Sequence, residues 1–147
     1  MIKTQLTLEA AQEIIRMGED LKNESRFADH PYNPAGVQKV LEATVRMPSK
    51  FFVAYDDKFR GLILMGISQH YFSTYTCASD FAFFVKPEHR GGTLAVRLLK
   101  EAEKWAKKNG AHEMTILHNT GINTDSVCRF FNGIDYETKG HIFSKEL

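Results

Sequence analysis

Arg90, Gly91 and Gly92 are the residues whose types and spacing most directly indicate chemistry, and that chemistry is the binding of an anion. Arginine carries a planar fork of donors that matches a phosphate group, and glycines let a ligand approach the backbone closely. Apolar side chains recur at helical spacing from about Gly92 to Lys108, so a helix should begin at this turn. Because the first N–H groups of a helix are unpaired and partly positive, the pattern predicts a pyrophosphate-binding turn. An ordinary strand–turn–helix corner with an exposed arginine is the alternative.

An unbroken apolar run, Phe81 to Val85, precedes the turn and predicts a strand that is buried on both faces. Pro87 ends this strand, because proline has no N–H to donate to a neighbouring strand. The turn lacks the G-x-G-x-x-G spacing of dinucleotide-binding folds, and no lysine follows it as in the G-x-x-x-x-G-K-[ST] loop. These two classes of nucleotide site are therefore excluded.

Turn signals and hydrophobic periodicity divide the rest of the chain into the elements that position this turn. Before the central strand we predict an edge strand in Ile2–Thr7, helices that begin at Leu8 and at Pro34, and a hairpin of Phe51–Tyr55 with Leu62–Ile67. After the central helix we predict a strand in His112–Leu117, a helix in Ile122–Asn132, and short terminal strands at Tyr136–Thr138 and Ile142–Lys145. This order is that of one mixed α/β domain spanning residues 1–147.

The composition is that of a soluble globular protein, with 147 residues, of which 43% are hydrophobic and 25% are charged. The formal net charge of +1 argues against a nucleic-acid partner, and no apolar run is long enough for a membrane helix. The N-terminus lacks a signal-peptide core, so a cytoplasmic protein is expected. Cys77 and Cys128 are predicted to be free, buried thiols. The six histidines show no metal-ligand spacing, so no metal is predicted.

The segment VKPEHRGGTLA, residues 85–95, resembles the acetyl-CoA signature of the GNAT N-acetyltransferase superfamily. In that family a strand ending in V-x-P leads into the motif R/Q-x-x-G-x-G/A and a long helix. Arg90 and Ala95 match the outer positions of this motif, whereas Thr93 stands where the family usually has glycine. The resemblance implies a single GNAT-like domain, with a central, mostly antiparallel sheet flanked by about four helices.

The resemblance also implies a function, the direct transfer of an acetyl group from acetyl-CoA to a primary amine within one ternary complex. In the family, the exposed edge of the central strand pairs with the pantetheine arm, and the turn binds the pyrophosphate. The acetyl-CoA contacts implied here are Phe83, Phe84, Val85, Arg90, Gly91, Gly92, Thr93, Leu94 and Ala95. Asp80 is the only carboxylate near the start of the central strand, which makes it the predicted general base. A turn residue entering the strand is the alternative.

The last predicted helix departs from the family pattern. Phe131 stands where the family has the tyrosine that protonates the departing thiolate, and Asp135 stands where it has a glycine. Phenylalanine cannot donate a proton, so Phe131 is retained only as a contact of acetyl-CoA or as core packing. A second hypothesis is therefore a catalytically weak or inactive module that binds CoA or another protein. The run Gly121–Thr124 and the short loops resemble GNAT domains encoded by bacteriophages.

The acceptor amine is predicted to be a small molecule or a protein that binds beside the irregular segments of the chain. Tyr32 lies in the loop between the first two helices, and Tyr75 lies in an aromatic cluster before the central strand. Aromatic rings beside a cleft can bind an amine through cation–π contact, and packing is the alternative for both tyrosines. The sequence leaves the oligomeric state open, with a homodimer as one assembly.

Overall fold

Four helices and five strands make up the chain in the computed structural model, which describes residues 1–147. The strands are β1 (Ile2–Lys3), β2 (Phe51–Asp56), β3 (Gly61–Gln69), β4 (Thr76–Val85) and β5 (Glu113–Thr115). The helices are α1 (Leu8–Glu24), α2 (Pro34–Arg46), α3 (Leu94–Lys108) and α4 (Thr124–Asn132), with a single 3-10 turn at Pro87–His89. They form one α/β domain, as the sequence predicted.

All five strands lie in one sheet, in the order β1-β2-β3-β4-β5. The pairs from β1 to β4 are antiparallel. Strands β4 and β5 run parallel, since helix α3 carries the chain back between them. The predicted mostly antiparallel sheet is therefore confirmed, and β4 is the strand at which the direction of pairing changes.

Strand β4 carries a β-bulge near its middle. Leu64 of β3 pairs with Ala82, but the next residue, Met65, pairs with Asp80, so Phe81 is the extra residue. A bulge disturbs the regular alternation of side chains between the two faces, and Phe81 is 55% exposed. The prediction that the whole run 81–85 is buried on both faces is therefore wrong at Phe81, although Phe84 and Val85 are buried.

Helices cover both faces of the sheet, α1 and α2 on one side and α3 and α4 on the other. The predicted helix starts at Leu8 and Pro34 are confirmed, and each helix has a side-chain cap. The Thr7 hydroxyl accepts the N–H of Ala10 at 3.1 Å, and the Asn33 side-chain oxygen accepts the N–H of Gly36 at 3.1 Å. On the other side, Leu98 and Ala102 of α3 are fully buried against the sheet, which fixes the position of the turn that precedes this helix.

The C-terminal segment differs from the prediction. Residues 133–147 form neither helix nor strand, so the expected strands at Tyr136–Thr138 and Ile142–Lys145 are wrong. Each run has only three or four residues, and strands this short are stable only when a neighbour pairs with them. Tyr136 packs instead against Phe131, with ring centroids 5.3 Å apart, and its hydroxyl donates to Glu103 of α3 at 2.8 Å.

Both cysteines are free, as predicted. Cys77 is buried in β4, but Cys128 is exposed, which corrects the prediction that both thiols are buried. Helix α4 has no fully buried residue, because it lies at the periphery of the sheet and covers it only with half-buried aromatic rings. None of the four helices combines the length and the hydropathy that crossing a bilayer requires.

Candidate functional site

Strands β4 and β5 pair over three residues and then separate. Residues 77–79 of β4 pair with residues 113–115 of β5, and no further pair follows. Strand β4 continues to Val85 while paired only with β3. The edge of β4 from Asp80 to Val85 therefore presents backbone donors and acceptors that no second strand occupies. An extended ligand with amide groups can bind along such an edge.

The Asp80 carboxylate lies at the point where the two strands separate. Its Oδ1 accepts the N–H of Leu117 at 2.8 Å, so the side chain reaches from β4 to the segment after β5. Burial raises the pKa of this carboxyl from 3.8 to about 6, although the N–H of Leu117 favours the ionised form. Asp80 lies inside β4 and is not a turn residue. A carboxylate with this pKa can accept and release protons near neutral pH.

The turn between β4 and α3 leaves a row of backbone N–H groups free. Gly91 has a φ of +88°, in the left-handed region that favours glycine, and a side chain at Gly91 or Gly92 would meet only open space. From Gly91 to Val96, no backbone N–H donates to an acceptor within the protein. Thr93 makes no capping hydrogen bond at the start of α3. The turn can therefore bind an anion with several oxygens.

Arg90 is tied to the protein through all three nitrogens of its guanidinium group. Its Nη1 and Nη2 donate to the two carboxylate oxygens of Glu24, at 2.6 and 2.7 Å, and its Nε donates to the carbonyl of Val85 at 2.8 Å. The hydrogen bond from Arg90 lowers the pKa of Glu24, so the pair is ionised at neutral pH. In this arrangement Arg90 braces the turn against α1 and the end of β4, and Glu24 neutralises its charge.

Arg97 is a cationic residue at the same turn that sequence reasoning did not single out. It lies in the first turn of α3, and its Nε is buried without a hydrogen-bond partner. A buried donor without an acceptor is costly, which makes the Arg97 Nε a candidate hydrogen-bond donor to a bound anion. The available sequence signal was an arginine in the first turn of the predicted helix that follows the glycines.

The other predicted acetyl-CoA contacts divide between the core and the open edge. Phe84, Val85 and Leu94 are buried, so their side chains anchor β4 and α3 and leave only backbone to face a ligand. Phe83 and Ala95 are half-buried. The ring of Phe131 lies edge-on to that of Phe83, with centroids 6.1 Å apart. The structure thus brings Phe131 of α4 against the part of β4 that has separated from β5.

The two tyrosines predicted to bind the acceptor make other contacts. The Tyr32 hydroxyl donates to the carbonyl of Ile15, which holds the α1–α2 connection against α1. Tyr75 stacks on His112, with ring centroids 5.1 Å apart, and lies five residues before Asp80, about 17 Å away along an extended strand. Neither tyrosine forms a hydrogen bond with Asp80, whose carboxylate is bound to Leu117. Their role in binding the acceptor stays a prediction.

The end of α1 and the residues after it form hydrogen bonds with two segments that border the open edge of β4, the β4–α3 turn and the segment after β5. On one side, Glu24 binds Arg90. On the other, Arg26 donates its backbone N–H to the carbonyl of Thr120 at 2.9 Å and its Nε to the carbonyl of Asn119 at 2.6 Å. The α1–α2 connection therefore contacts the β4–α3 turn and the segment that leads from β5 into α4.

A family model matches the part of the sequence that forms this site. The model of the acetyltransferase (GNAT) family matches residues 15–133, a range that includes β4, the glycine turn and α4. The chain belongs to the GNAT acetyltransferase family. No curated protein is similar enough in sequence to count as a match.

Several solved structures share the fold of this chain at low sequence identity. A transcriptional regulator from Bacillus halodurans C-125 has a TM-score of 0.76 and 12% identity, over 100% of this chain and 99% of that one. A ribosomal-protein-alanine N-acetyltransferase from Brucella melitensis biovar Abortus 2308 has a TM-score of 0.70 and 13% identity, with coverage of 100% and 99%. An acetyltransferase from Trypanosoma brucei has a TM-score of 0.70 and 10% identity, with the same coverage. At these identities the similarity establishes the fold alone.

Proposed function

We propose that this GNAT protein transfers the acetyl group of acetyl-CoA to a primary amine by direct attack in a ternary complex. The observation that carries the proposal is the arrangement along β4 of three features. These are the half-buried carboxylate of Asp80, the unpaired strand edge that runs from it to Val85, and the turn with free N–H groups from Gly91 to Val96. Transfer from acetyl-CoA to an amine requires a base for the amine, a strand edge for the amide-containing arm of CoA and an anion site for its phosphates, in this order along the site.

Asp80 is the proposed general base. At a pH above its pKa of about 6, the carboxylate is ionised and accepts a proton from the ammonium group of the acceptor. Loss of this proton frees the lone pair on the amine nitrogen. The amine nitrogen then attacks the acetyl carbonyl, so that a C–N bond forms as the C–S bond breaks and CoA leaves as a thiolate. The second proton that the nitrogen loses passes to this thiolate or to water, which leaves a neutral amide. Free backbone N–H groups on the open edge of β4 would stabilise the negative charge that develops on the carbonyl oxygen.

The phosphates of the donor would bind at the glycine turn. The free N–H groups of residues 91–96 and the partial positive charge of the α3 N-terminus both favour an anion there. Arg97 adds a side chain whose Nε has no partner in the protein. Arg90 contributes by holding the turn in place, because its own donors are bound to Glu24 and Val85.

The test is calorimetric titration of acetyl-CoA into wild type, Gly92→Val and Gly140→Val. A side chain at either glycine meets open space, and neither glycine has a left-handed φ, so both variants should fold alike. Only Gly92 lies at the turn where the phosphates are expected. We predict that Gly92→Val weakens acetyl-CoA binding by about tenfold or more, because the new methyl groups block close approach to the backbone. Gly140→Val should bind like wild type.

Failure of wild type to bind acetyl-CoA would refute the proposal outright. Equal weakening in both glycine variants would show that the ligand is not held at the turn. If binding behaves as predicted, release of the CoA thiol in the presence of a panel of primary amines then measures transfer itself.

A second function is supported by one observation, the absence of a hydroxyl at position 131. Phe131 lies against Phe83, beside the open edge of β4, and cannot protonate a thiolate. The hydroxyl of the neighbouring Tyr136 is bound to Glu103. A protein that binds acetyl-CoA tightly but releases no thiol with any amine would be a CoA-binding module on the same scaffold.

A further inference from the structure

Strand β2 has an unpaired backbone edge beyond the point where β1 ends. The N–H of Asp57 donates to the carbonyl of Met1 at 2.9 Å, and hydrogen-bonded pairs recur at every second residue of an antiparallel ladder. The register of β1 and β2 therefore places Gln5 opposite Val53 as the next such pair after β1. No backbone hydrogen bond joins these two residues, and the carbonyl of Gln5 accepts the hydroxyl of Tyr55 at 2.6 Å instead.

The unpaired backbone groups of Val53 point away from β3. The N–H of Ile67 donates to the carbonyl of Lys50 at 2.8 Å, so every second residue from Lys50 onward bonds to β3. Val53 falls between two of these residues, and its N–H and C=O face the edge that β1 leaves open. The C=O of Phe51 faces the same edge, whereas its N–H donates to Met47 at 2.9 Å. Three backbone groups on the edge of β2 therefore have no partner within the protein.

A pocket of about 400 Å³ lies across this edge. Phe52 and Val53 both line it, although Phe52 belongs to the core beneath α3 and Val53 to the core beneath α1 and α2. Successive side chains of a strand point to opposite faces of the sheet, so a pocket lined by both residues must pass around the edge of β2. Ser49 and Lys108, which are exposed, also line the pocket, so it opens to solvent.

The wall of the pocket combines an aromatic stack with positive charge. The ring of Phe52 stacks on that of Trp105, with centroids 5.1 Å apart, and Trp105 lines the pocket. Lys108 is the cation in the wall, and no acidic side chain contributes to it. Arg46 and Lys50 flank two of the lining residues in sequence, and none of these three cations forms an ion pair. The pocket therefore favours a ligand with apolar and acidic groups.

We infer that this edge binds an extended, acidic segment of a partner protein, which adds to the sheet as a strand beside β2. The N–H and C=O of Val53 match the C=O and N–H of one residue in such a strand, and Phe51 accepts one further N–H. These groups extend over about 7 Å of β2, which an extended backbone follows along its length. The site is separate from the proposed acetyl transfer, because β3 lies between β2 and β4.

Peptide selection with a fluorescence readout tests the inference. Trp105 is the only tryptophan in the chain, so its emission reports occupation of the pocket. The probe is a displayed library of random heptapeptides, from which the enriched sequences are synthesised with blocked ends and titrated into the protein. We expect enrichment of acidic peptides that change the Trp105 emission. No enrichment, enrichment of basic peptides, or binding that leaves the Trp105 emission unchanged would overturn the inference.

Single N-methylated versions of the best peptide test for strand pairing. Methylation removes one peptide N–H and leaves every side chain in place. At the position that donates to the carbonyl of Val53, it should weaken binding about tenfold, and at the neighbouring positions, which point away from β2, it should have little effect. Equal affinity for all the methylated peptides would show that the strand edge is not used.

Lys108→Glu and Lys104→Glu are the matched variants. Both lysines are exposed on α3, but only Lys108 lines the pocket. Lys108→Glu should weaken peptide binding about tenfold or more, because repulsion replaces attraction, and Lys104→Glu should bind the peptide like wild type. Circular dichroism checks that both variants are folded. Equal weakening in the two variants would show a response to net charge alone and would overturn the inference.

Sedimentation distinguishes a partner protein from a second copy of the chain. Lys108→Glu should leave the sedimentation coefficient unchanged, because the edge of β2 is not an interface between copies. Dissociation of a wild-type dimer by this substitution would assign the edge to a second copy and overturn the inference. Titration of acetyl-CoA is independent of both results. If acetyl-CoA fails to bind while acidic peptides bind at Trp105, the acetyltransferase proposal falls and the peptide site stands.

Discussion

The ion pair between Arg90 and Glu24 gives the sharpest test of how this protein holds the turn between β4 and α3, the proposed phosphate site. Arg90 could contact the phosphates directly or support the turn structurally, and these two roles lead to opposite expected effects of Glu24→Gln on acetyl-CoA affinity. If Arg90 is a phosphate ligand, loss of the Glu24 charge frees its guanidinium group and tightens acetyl-CoA binding. If Arg90 is a brace, the same substitution loosens the turn and weakens binding. The structure favours the brace, because all three guanidinium nitrogens donate to protein acceptors.

The magnitude follows from the geometry and exposure of the pair. Two charge-assisted hydrogen bonds of 2.6 and 2.7 Å form a bidentate contact, but the side chains of Arg90 and Glu24 remain 30% and 27% exposed. Solvent screening reduces such a pair to about 1 kcal/mol of coupling free energy. We therefore expect Glu24→Gln and Arg90→Gln each to weaken acetyl-CoA binding about fivefold. The double variant should bind no more weakly than either single variant.

The assay is a double-mutant cycle, read by calorimetry with acetyl-CoA and by urea unfolding. Arg97→Gln serves as the comparison, because its Nε has no protein partner. This substitution should weaken binding without lowering the free energy of unfolding.

The pKa of Glu24 is depressed below 4.5 in the folded protein, so its coupling to Arg90 is present above pH 4.5 and is lost as the pH falls through the folded-state pKa. Tighter acetyl-CoA binding by Glu24→Gln, or additive losses of affinity in the double variant, would refute the structural role of Arg90.

Two further predictions concern the reacting groups. Asp80→Asn should lower kcat/KM by about a hundredfold or more and abolish a rising limb near pH 6 in the pH–rate profile. Because the folded-state pKa of Asp80 lies above its usual 3.8, wild-type stability should fall as pH rises from about 4 to 6, and a thermal melt of Asp80→Asn should lack this decline. Phe131→Tyr should raise kcat about tenfold with unchanged affinity for acetyl-CoA, since it supplies a proton donor beside Phe83. A kcat at or below the wild-type value would show that position 131 does not face the leaving thiolate.

Much of the local structure was predictable because it depends on neighbours in sequence. Thr7 and Asn33 cap helices through contacts three residues away, and Gly91 marks the turn because its left-handed φ suits glycine. The helix that follows the turn was predictable from its apolar stripe. The terminal strands were mispredicted because a strand gains its stability from a partner, and no sequence pattern shows whether a partner is present. The expected cytoplasmic location and bacteriophage-like relationship remain predictions.

The sequence by itself determined the order of elements, the family signature and the residues available for chemistry, since each follows from short-range pattern and residue type. Only the tertiary structure decided what those residues contact. It directed the guanidinium group of Arg90 to Glu24, 66 residues away in the chain, and left the Nε of Arg97 without a partner. It also placed the Asp80 carboxylate under Leu117, where burial moves its pKa toward neutrality. The physical reason is that burial, pairing and desolvation depend on segments distant in sequence, and folding alone brings these segments together.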